Sequence, residues 1–260
     1  MLTQNQIDHY DAFGFLKLPN LFSTSEIDEL RTASLSVMRE LRGTDDYLTD
    51  VNQSVQPWCE RHPAMQYLVD DERIHQIPAS LLGEDFWLDG TEGHLRVGDT
   101  AWHGDTDVTG VLGWVKVAIY LDPLAREDGC LRVIPGSHRW NQPDLLAPLR
   151  ASDTSLDSQW FGLQSTEIPS VALETRPGDV LVFTERIIHG AFGGGVGRHQ
   201  ICASFVEAIK TEEQERKVME FYKSSNYSMR PVRRNVESDR PRIRRMVQTP
   251  LSLGFEVFDI

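Results

Sequence analysis

The chain has 260 residues, 40% of them hydrophobic and 25% charged, the balance of an ordinary soluble globular protein. Its formal net charge of −13 argues against general nucleic-acid binding, which works by neutralising phosphates. No apolar run approaches the roughly 18 residues that span a membrane, and the opening MLTQNQIDHYDAFG has neither the basic start nor the apolar centre of a secretory signal. Cys59, Cys130 and Cys202 are odd in number and lack CxxC spacing, which suits a reducing, cytoplasmic setting and argues against both a disulfide framework and a structural zinc site. Nothing in the pattern sets an oligomeric state.

Thr3 is placed to cap a helix running to about Phe13, with Ile7, Tyr10 and Phe13 on one face. FGFLKLP follows as a short strand. Ser23 and Glu26 have capping-box spacing and open an amphipathic helix through Ile27, Leu30, Leu35, Met38 and Leu41. Residues 43–80 read as irregular or weakly helical, punctuated by Pro57, Pro63 and Pro78. From about residue 86, the runs FWLDGTEGHLRVG, TAWHGD, VLGWVKVAIYLDPL and GCLRVIPG are rich in β-branched and aromatic residues and divided by turn residues, so they predict strands. Residues 138–166 form a long polar connection of the kind that often serves as a lid. Strand character resumes in EIPSVALE, DVLVFTERIIH and RHQICASFVEA and, weakly, in LSLGFEVF. With no repeat and no linker, residues 1–260 read as a single domain, the helices of residues 1–80 packing outside a β core. Many short strands divided by turns suggest a sandwich or barrel, and a jelly roll (cupin-like, mainly β with flanking helices) best accommodates long loops between opposite sheets.

The chemistry begins in TAWHGDTD. Residues i and i+2 of an extended strand face the same side, so His103 and Asp105 converge on one point, as metal ligands must. An HxD pair alone is weak evidence, and a third ligand is needed. In RPGDVLVFTERIIHGAFGGGVGRHQICASF a strand starts at Asp179 and ends near His189, glycines at 193–195 and 197 permit a tight reversal, and the returning strand opens with Arg198 and His199. A hairpin centred near residue 194 would set Arg198 within a residue of His189 across the ladder. Two neutral imidazoles and a carboxylate suit Fe(II) and leave one octahedral face open. That face has room for a bidentate 2-oxo acid and then O₂, and a nearby guanidinium suits the acid's remote carboxylate.

LTQNQIDHYDAFGFLKLPNLFSTSEIDELR, WHGD, DGCLRVIPGSHR, and PGDVLVF followed by His189 and Arg198 together resemble, nearly end to end, the phytanoyl-CoA dioxygenase family of Fe(II)/2-oxoglutarate oxygenases. The resemblance implies a double-stranded β-helix fold, iron held by His103, Asp105 and His189, Arg198 anchoring 2-oxoglutarate, and O₂ as co-substrate. It also implies hydroxylation of an unactivated carbon in a small metabolite or natural product. Related halogenating sites lack a carboxylate at the position of Asp105, so its presence favours hydroxylation, although desaturation, epoxidation and ring formation use the same site. The chain departs from the family pattern at Gly104, where glutamine is frequent, and at Ala191, where serine is frequent, and the usual asparagine is absent from the glycine run. Arg96 takes the place of a basic residue that often precedes the HxD pair.

Other residues admit two readings each. His94 and Arg96, at i, i+2 spacing, face the cavity as polar contacts to substrate or co-substrate or are plain strand surface. Lys116 shares a face with Trp114, Ala118 and Tyr120; it either meets a carboxylate, the co-substrate's included, or snorkels at an edge. Asp107 reads as a solvated or outlying carboxylate, His138 as a turn element, His199 as structural and Trp102 as core. Trp58 and Trp160 line the pocket or pin loops. MRPVRRNVESDRPRIRR, residues 229–245, carries seven arginines and is either a solvated or interface-forming segment or, with Arg96, a contact for an anionic substrate. Two rival functions use the same fold: a cupin-like metal-dependent isomerase or hydrolase, which gives Arg198 no co-substrate to hold, and a non-catalytic small-molecule binding protein.

Overall fold

Three helices open the chain, each started by a side-chain cap. The structure, a computed structural model, describes residues 1–44, 51–105, 112–139, 144–150, 156, 159–224 and 231–260. Helix α1 (Gln4–Phe13) carries a capping box between Thr3 and Gln6, and α2 (Thr24–Arg42) carries one between Ser23 and Glu26. Helix α3 (Glu72–Leu82) is capped by Asp71 and contains Pro78, which the sequence reads as punctuation. Ile74, Ile77 and Pro78 are all buried, and packing of that face outweighs the amide lost at proline.

The strands are β1 (Phe15–Leu18), β2 (Gln53–Val55), β3 (Trp87–Val97), β4 (Thr100–His103), β5 (Trp114–Tyr120), β6 (Leu131–Val133), β7 (Gln159–Trp160), β8 (Leu163–Gln164), β9 (Val171–Leu173), β10 (Val180–Thr184), β11 (His189–Ala191) and β12 (Val196–Val206). They form a six-stranded sheet in the order β1-β10-β5-β12-β3-β2, a four-stranded sheet in the order β4-β11-β6-β9, and the β7–β8 hairpin. All pairs within the two large sheets are antiparallel.

Alternation along the strands builds two cores. Val115, Val117, Ile119, Val180 and Val182 face outward and pack with Ile27, Leu30, Val37, Ile74 and Ile77 of the helices. Ala118, Tyr120, Leu181, Phe183 and Cys202 face inward and meet Leu131, Val133 and Leu173 of the smaller sheet. This is the two-sheet jelly-roll core expected from the sequence, with helices outside. Residues 1–80 contribute more than helices, since β1 and β2 join the six-stranded sheet at its two edges.

Other expectations change. DVLVFTERIIH is not one strand: β10 lies in the large sheet, a turn closed by the Ile187 N–H on the Thr184 carbonyl follows, and β11 lies in the small sheet. LSLGFEVF gives the end of helix α8 and an isolated bridge between Phe258 and Val232 rather than a strand. The C-terminal part holds α5 (Glu212–Ser224), α6 (Arg233–Val236), α7 (Pro241–Met246) and α8 (Gln248–Ser252), after the single-turn α4 (Ala147–Arg150). Its described arginines have protein partners, and Arg230 lies outside the described residues. Arg240 pairs with Asp70 at 2.9 Å, Arg242 with Glu72 at 2.5 Å and Arg245 with Asp85 at 2.8 Å, while Arg233 meets Asp259 and Glu237. Arg234 donates to the Glu60 carbonyl and Arg244 to that of Ser238. Three of these pairs tie the segment to the region of α3, in keeping with the reading of it as interface-forming. Among the described residues the three cysteines are free and buried, and no helix is long and apolar enough to cross a membrane.

Trp58 is a packing residue, 2% exposed, laid against the backbone of Gly93 on the outer face of β3. A Cβ on Gly93 would lie 2.0 Å from the indole, so Gly93→Ala must displace a buried tryptophan. The expected loss is about 1–3 kcal/mol, seen as a thermal midpoint lower by several degrees. Gly195→Ala, where an added Cβ meets nothing within 4 Å, is the control and should shift stability by less than about 0.5 kcal/mol.

Candidate active site

His103 closes β4 and His189 opens β11, and the two are register partners on adjacent strands of the small sheet. Their rings face each other with centroids 4.2 Å apart. Asp105 lies two residues beyond His103, and its N–H donates to the Glu185 carbonyl at 2.8 Å, which returns its side chain to the same point. One ligand-type atom from each of His103, Asp105 and His189 falls within 4.8 Å of the others.

The backbone sets the tautomers. His103 Nδ1 donates to the Ala101 carbonyl at 2.8 Å and His189 Nδ1 to the Ile187 carbonyl at 3.0 Å; carbonyls only accept, so each Nδ1 carries the proton. Both Nε2 lone pairs are left to face Asp105 Oδ1, at 3.5 and 3.6 Å. The IPGSH segment steadies this arrangement, since Ser137 Oγ accepts the Ile188 N–H at 2.8 Å and the Ile134 N–H donates to the Ile188 carbonyl at 3.0 Å. His138 donates to the Asp11 carbonyl at the end of α1, the turn role expected of it.

Lys116 projects from β5 to Asp105 Oδ2 at 2.9 Å, with Glu92 at 3.8 Å and Glu185 at 4.0 Å. The carboxylate it meets is therefore the protein's own, at the His–Asp–His cluster. Burial alone would raise the Asp105 carboxyl, but the Lys116 ammonium and the imidazoles outweigh it and hold Asp105 well below the usual carboxylate range. Burial likewise opposes charge on Lys116, and the surrounding carboxylates reverse this and raise it well above its ordinary value. Burial, then the neighbouring His103, pull His189 down to about 4, so its imidazole is neutral at pH 7. Glu185, by contrast, is pushed up to about 8 by burial and by Asp105 and Asp89 against the pull of Lys116.

Arg198 stands on the facing sheet. The expected hairpin does not form: β11 and β12 belong to different sheets, and residues 192–195 cross from one to the other. Asp99 Oδ1 holds that crossing by accepting the N–H groups of Gly193 and Gly194. Arg198 therefore pairs in register with Arg96 of β3 and shares one cavity with His189 across the sandwich. Arg198 is 7% exposed as a residue; its guanidinium donates to the carbonyls of Gly129 and Gly98 and leaves Nε without a partner among the described residues. Gly129 and Gly194 form its cradle, because a Cβ on either would sit 2.3 or 2.5 Å from guanidinium atoms. Arg96 lines the same cavity and makes no hydrogen bond or ion pair among the described residues.

His94 also lines this cavity, with Nε2 on Glu92 at 2.7 Å and a buried Nδ1 that has no partner among the described residues. Trp58 and Trp160 stay outside it: Trp160 packs near Trp102, which is core and donates to the Ser165 carbonyl. His199 faces the other way, onto Asp122. Asp107 lies outside the described residues. Sequence reasoning missed Glu92, Tyr120, Glu185 and Gln200. Glu92 was in reach through its i+2 relation to His94, and Tyr120 and Gln200 through their shared faces with Lys116 and Arg198. Glu185 ends an apolar run, a signal with no direction attached.

Two imidazole nitrogens and one carboxylate oxygen on one point, with space beside them, fit a divalent metal of the Fe(II) type. The partnerless Arg198 Nε across the cavity fits a carboxylate-bearing ligand.

Residues 10–198 match the family model for phytanoyl-CoA dioxygenase (PhyH). Over 216 residues the chain is 28% identical to an ectoine dioxygenase of Nocardia farcinica (strain IFM 10152), covering 72% of this chain and 71% of that one. Over 209 residues it is 27% identical to dioxygenase lolE1 of Epichloe uncinata, covering 72% and 75%. Among solved structures, HygX from Streptomyces hygroscopicus, with nickel and 2-oxoglutarate bound, shares the fold at a TM-score of 0.64 and 22% identity, over 81% of this chain and 89% of that one.

The geometry predicts one high-affinity divalent-cation site per chain. His189→Ala and His103→Ala should each weaken it by more than about 100-fold, beyond the 10–100-fold typical of losing a group behind a ligand. Isothermal titration with Co(II) or Mn(II) checks this, and unchanged binding in both variants would remove the site.

Proposed function

We propose, from the premise that this chain belongs to the phytanoyl-CoA dioxygenase family, that it is an Fe(II)/2-oxoglutarate-dependent oxygenase hydroxylating an unactivated carbon of a small molecule. The observation that carries this reading is a single cavity with the convergent Nε2, Nε2 and Oδ1 atoms on one side and a caged guanidinium on the other. His103, Asp105 and His189 would hold the metal. Bound there, Fe(II) with 2-oxoglutarate and O₂ supplies the oxidising power for C–H hydroxylation, the co-substrate leaving as succinate and CO₂.

The chain's own residues prepare the site. The Ala101 and Ile187 carbonyls keep both imidazoles turned inward, so no reorganisation is needed when a cation arrives. Lys116 keeps Asp105 ionised in a buried setting. Arg198, held by two carbonyls, would receive the remote carboxylate of 2-oxoglutarate in a fixed orientation. Arg96 would share that carboxylate: two like charges opposite each other on paired strands repel, and an anion between them removes the penalty. Phe183, Leu131 and Ala191 line the cavity with apolar surface, which limits water around the reacting centre. Asp105 would supply the third protein ligand, which favours hydroxylation over halogenation. The strapped C-terminal arginines leave the substrate's charge unassigned.

Purified protein loaded with Fe(II) should release succinate aerobically when screened against pools of small metabolites. No iron-dependent succinate from any pool would overturn the reading. Arg198→Ala should weaken 2-oxoglutarate by about 10–100-fold, the loss of roughly 1.5–3 kcal/mol for hydrogen bonds between charged groups. Arg96→Ala should weaken it by about tenfold or less. Divalent-cation affinity should change by under about threefold in both, since neither residue touches the triad. Anaerobic titration of the Fe(II) protein, followed by the visible charge-transfer absorption of the chelate, separates these effects.

A further inference from the structure

The two oxygens of Asp105 have different partners. Oδ1 faces the imidazole nitrogens at 3.5 and 3.6 Å, while Oδ2 accepts from the Lys116 ammonium at 2.9 Å. A carboxylate can grip a metal ion through one oxygen or through both. Which it does matters here, because a two-oxygen grip would occupy a position that a chelating 2-oxo acid needs.

The ammonium is itself held from behind. Glu92 stands 3.8 Å from it and is fixed by Gln56 Nε2 at 2.8 Å and His94 Nε2 at 2.7 Å. Glu185 stands 4.0 Å away on another side, and its backbone carbonyl accepts the Asp105 N–H. Thus both the backbone of Asp105 and the rotation of its carboxylate are tied to the same few residues. Glu92, His94 and Cys202 also lie within 4.8 Å of one another. The direct Glu92–His94 hydrogen bond and the adjacent ammonium make that group a support for Lys116 rather than a second cation site.

We infer that Lys116 is a positioning residue that confines Asp105 to one-oxygen coordination, thereby keeping open the place where a 2-oxo acid chelates, and that Glu92 supports the ammonium from behind. This rests on the reading of the site as an Fe(II)/2-oxoglutarate centre. Lys116 acts through Asp105 and need not touch substrate or co-substrate.

Cobalt-substituted protein tests it without turnover. In Lys116→Met, Oδ2 is released, so the visible Co(II) spectrum should differ from that of the native protein with no 2-oxo acid present. Co(II) affinity should stay equal or become tighter, while 2-oxoglutarate binding to the Co(II) protein should fall at least about tenfold. A Lys116→Met spectrum superimposable on the native one before 2-oxoglutarate is added would overturn the inference, because Lys116 would then act on the co-substrate directly or not at all. A parallel fall in Co(II) and 2-oxoglutarate affinity would also overturn it, as the mark of a merely structural role. If Lys116→Met does not fold, the Lys116→Met, Glu92→Gln double variant removes the ammonium together with one carboxylate it serves, and the same outcomes apply. Native protein that binds no Co(II) would instead strike the reading of the site itself, before any variant is compared.

Discussion

The register that sets His189 opposite His103 is the constraint on which the rest of the site depends. Side chains alternate along a strand, so a slip of one residue in this pairing would turn one imidazole out of the sandwich and leave no point of convergence. The pairing is short, and its neighbours supply the rigidity that length does not. β11 also pairs with β6 on its other side, and the Ser137 hydroxyl and the Ile134 N–H both bond the backbone of Ile188, immediately before His189. The IPGSH segment is best understood as the clamp on that register.

A second constraint is electrostatic. Carboxylates buried beside imidazoles would neutralise themselves by taking up protons unless something holds them ionised. Lys116 does this for Asp105, and it is possible because β5 runs through the middle of the large sheet, where an inward-facing residue reaches the cavity centre. An unpaired lysine in the apolar run WVKVAIY would be a liability, whereas one ringed by Asp105, Glu92 and Glu185 is stable and charged. Glu92 and Glu185 differ in consequence: burial raises both, but the Lys116 ammonium and then the His94 hydrogen bond bring Glu92 down to about 2, while burial with Asp105 and Asp89 pushes Glu185 up to about 8.

Much of this was legible before any coordinates, for identifiable reasons. Helix caps are local chemistry, and the boxes at Thr3 and Ser23 appear as read. Strand period put Lys116 on the face of Tyr120 as read, but β4 ends at His103, so the Glu185 carbonyl rather than a continued strand brings Asp105 to the side of His103. The path from Val180 to Val206 was not legible. A continuous apolar run is compatible with burial in either sheet, so DVLVFTERIIH carries no mark of where it leaves one sheet for the other. The glycine run was read as a tight reversal, yet Gly194 is needed chiefly because a side chain there would collide with Arg198 and the Gly98 carbonyl. The tail arginines left two readings open for a related reason. Charge density is visible in a sequence, whereas the acidic partners at Asp70, Glu72 and Asp85 lie 160 or 170 residues away along the chain and are not.

Strand β12 shows how the helical layer bears on the pocket. Arg198 points inward to its glycine cradle, and the next residue, His199, points outward, where its N–H and Nδ1 both engage Asp122. Asp122 in turn pairs with Arg31 on α2. Successive side chains on one strand are coupled through the backbone between them, so fixing His199 on the outer face fixes the Cα of Arg198 on the inner one. A helix packed outside the sandwich therefore helps aim a guanidinium inside it. The arrangement also accounts for an arginine with such limited freedom: two carbonyls hold its head, glycines leave no slack around it, and its backbone is tied from the opposite face. Among the described residues its buried Nε alone finds no partner, in an arginine that lines the cavity the triad shares.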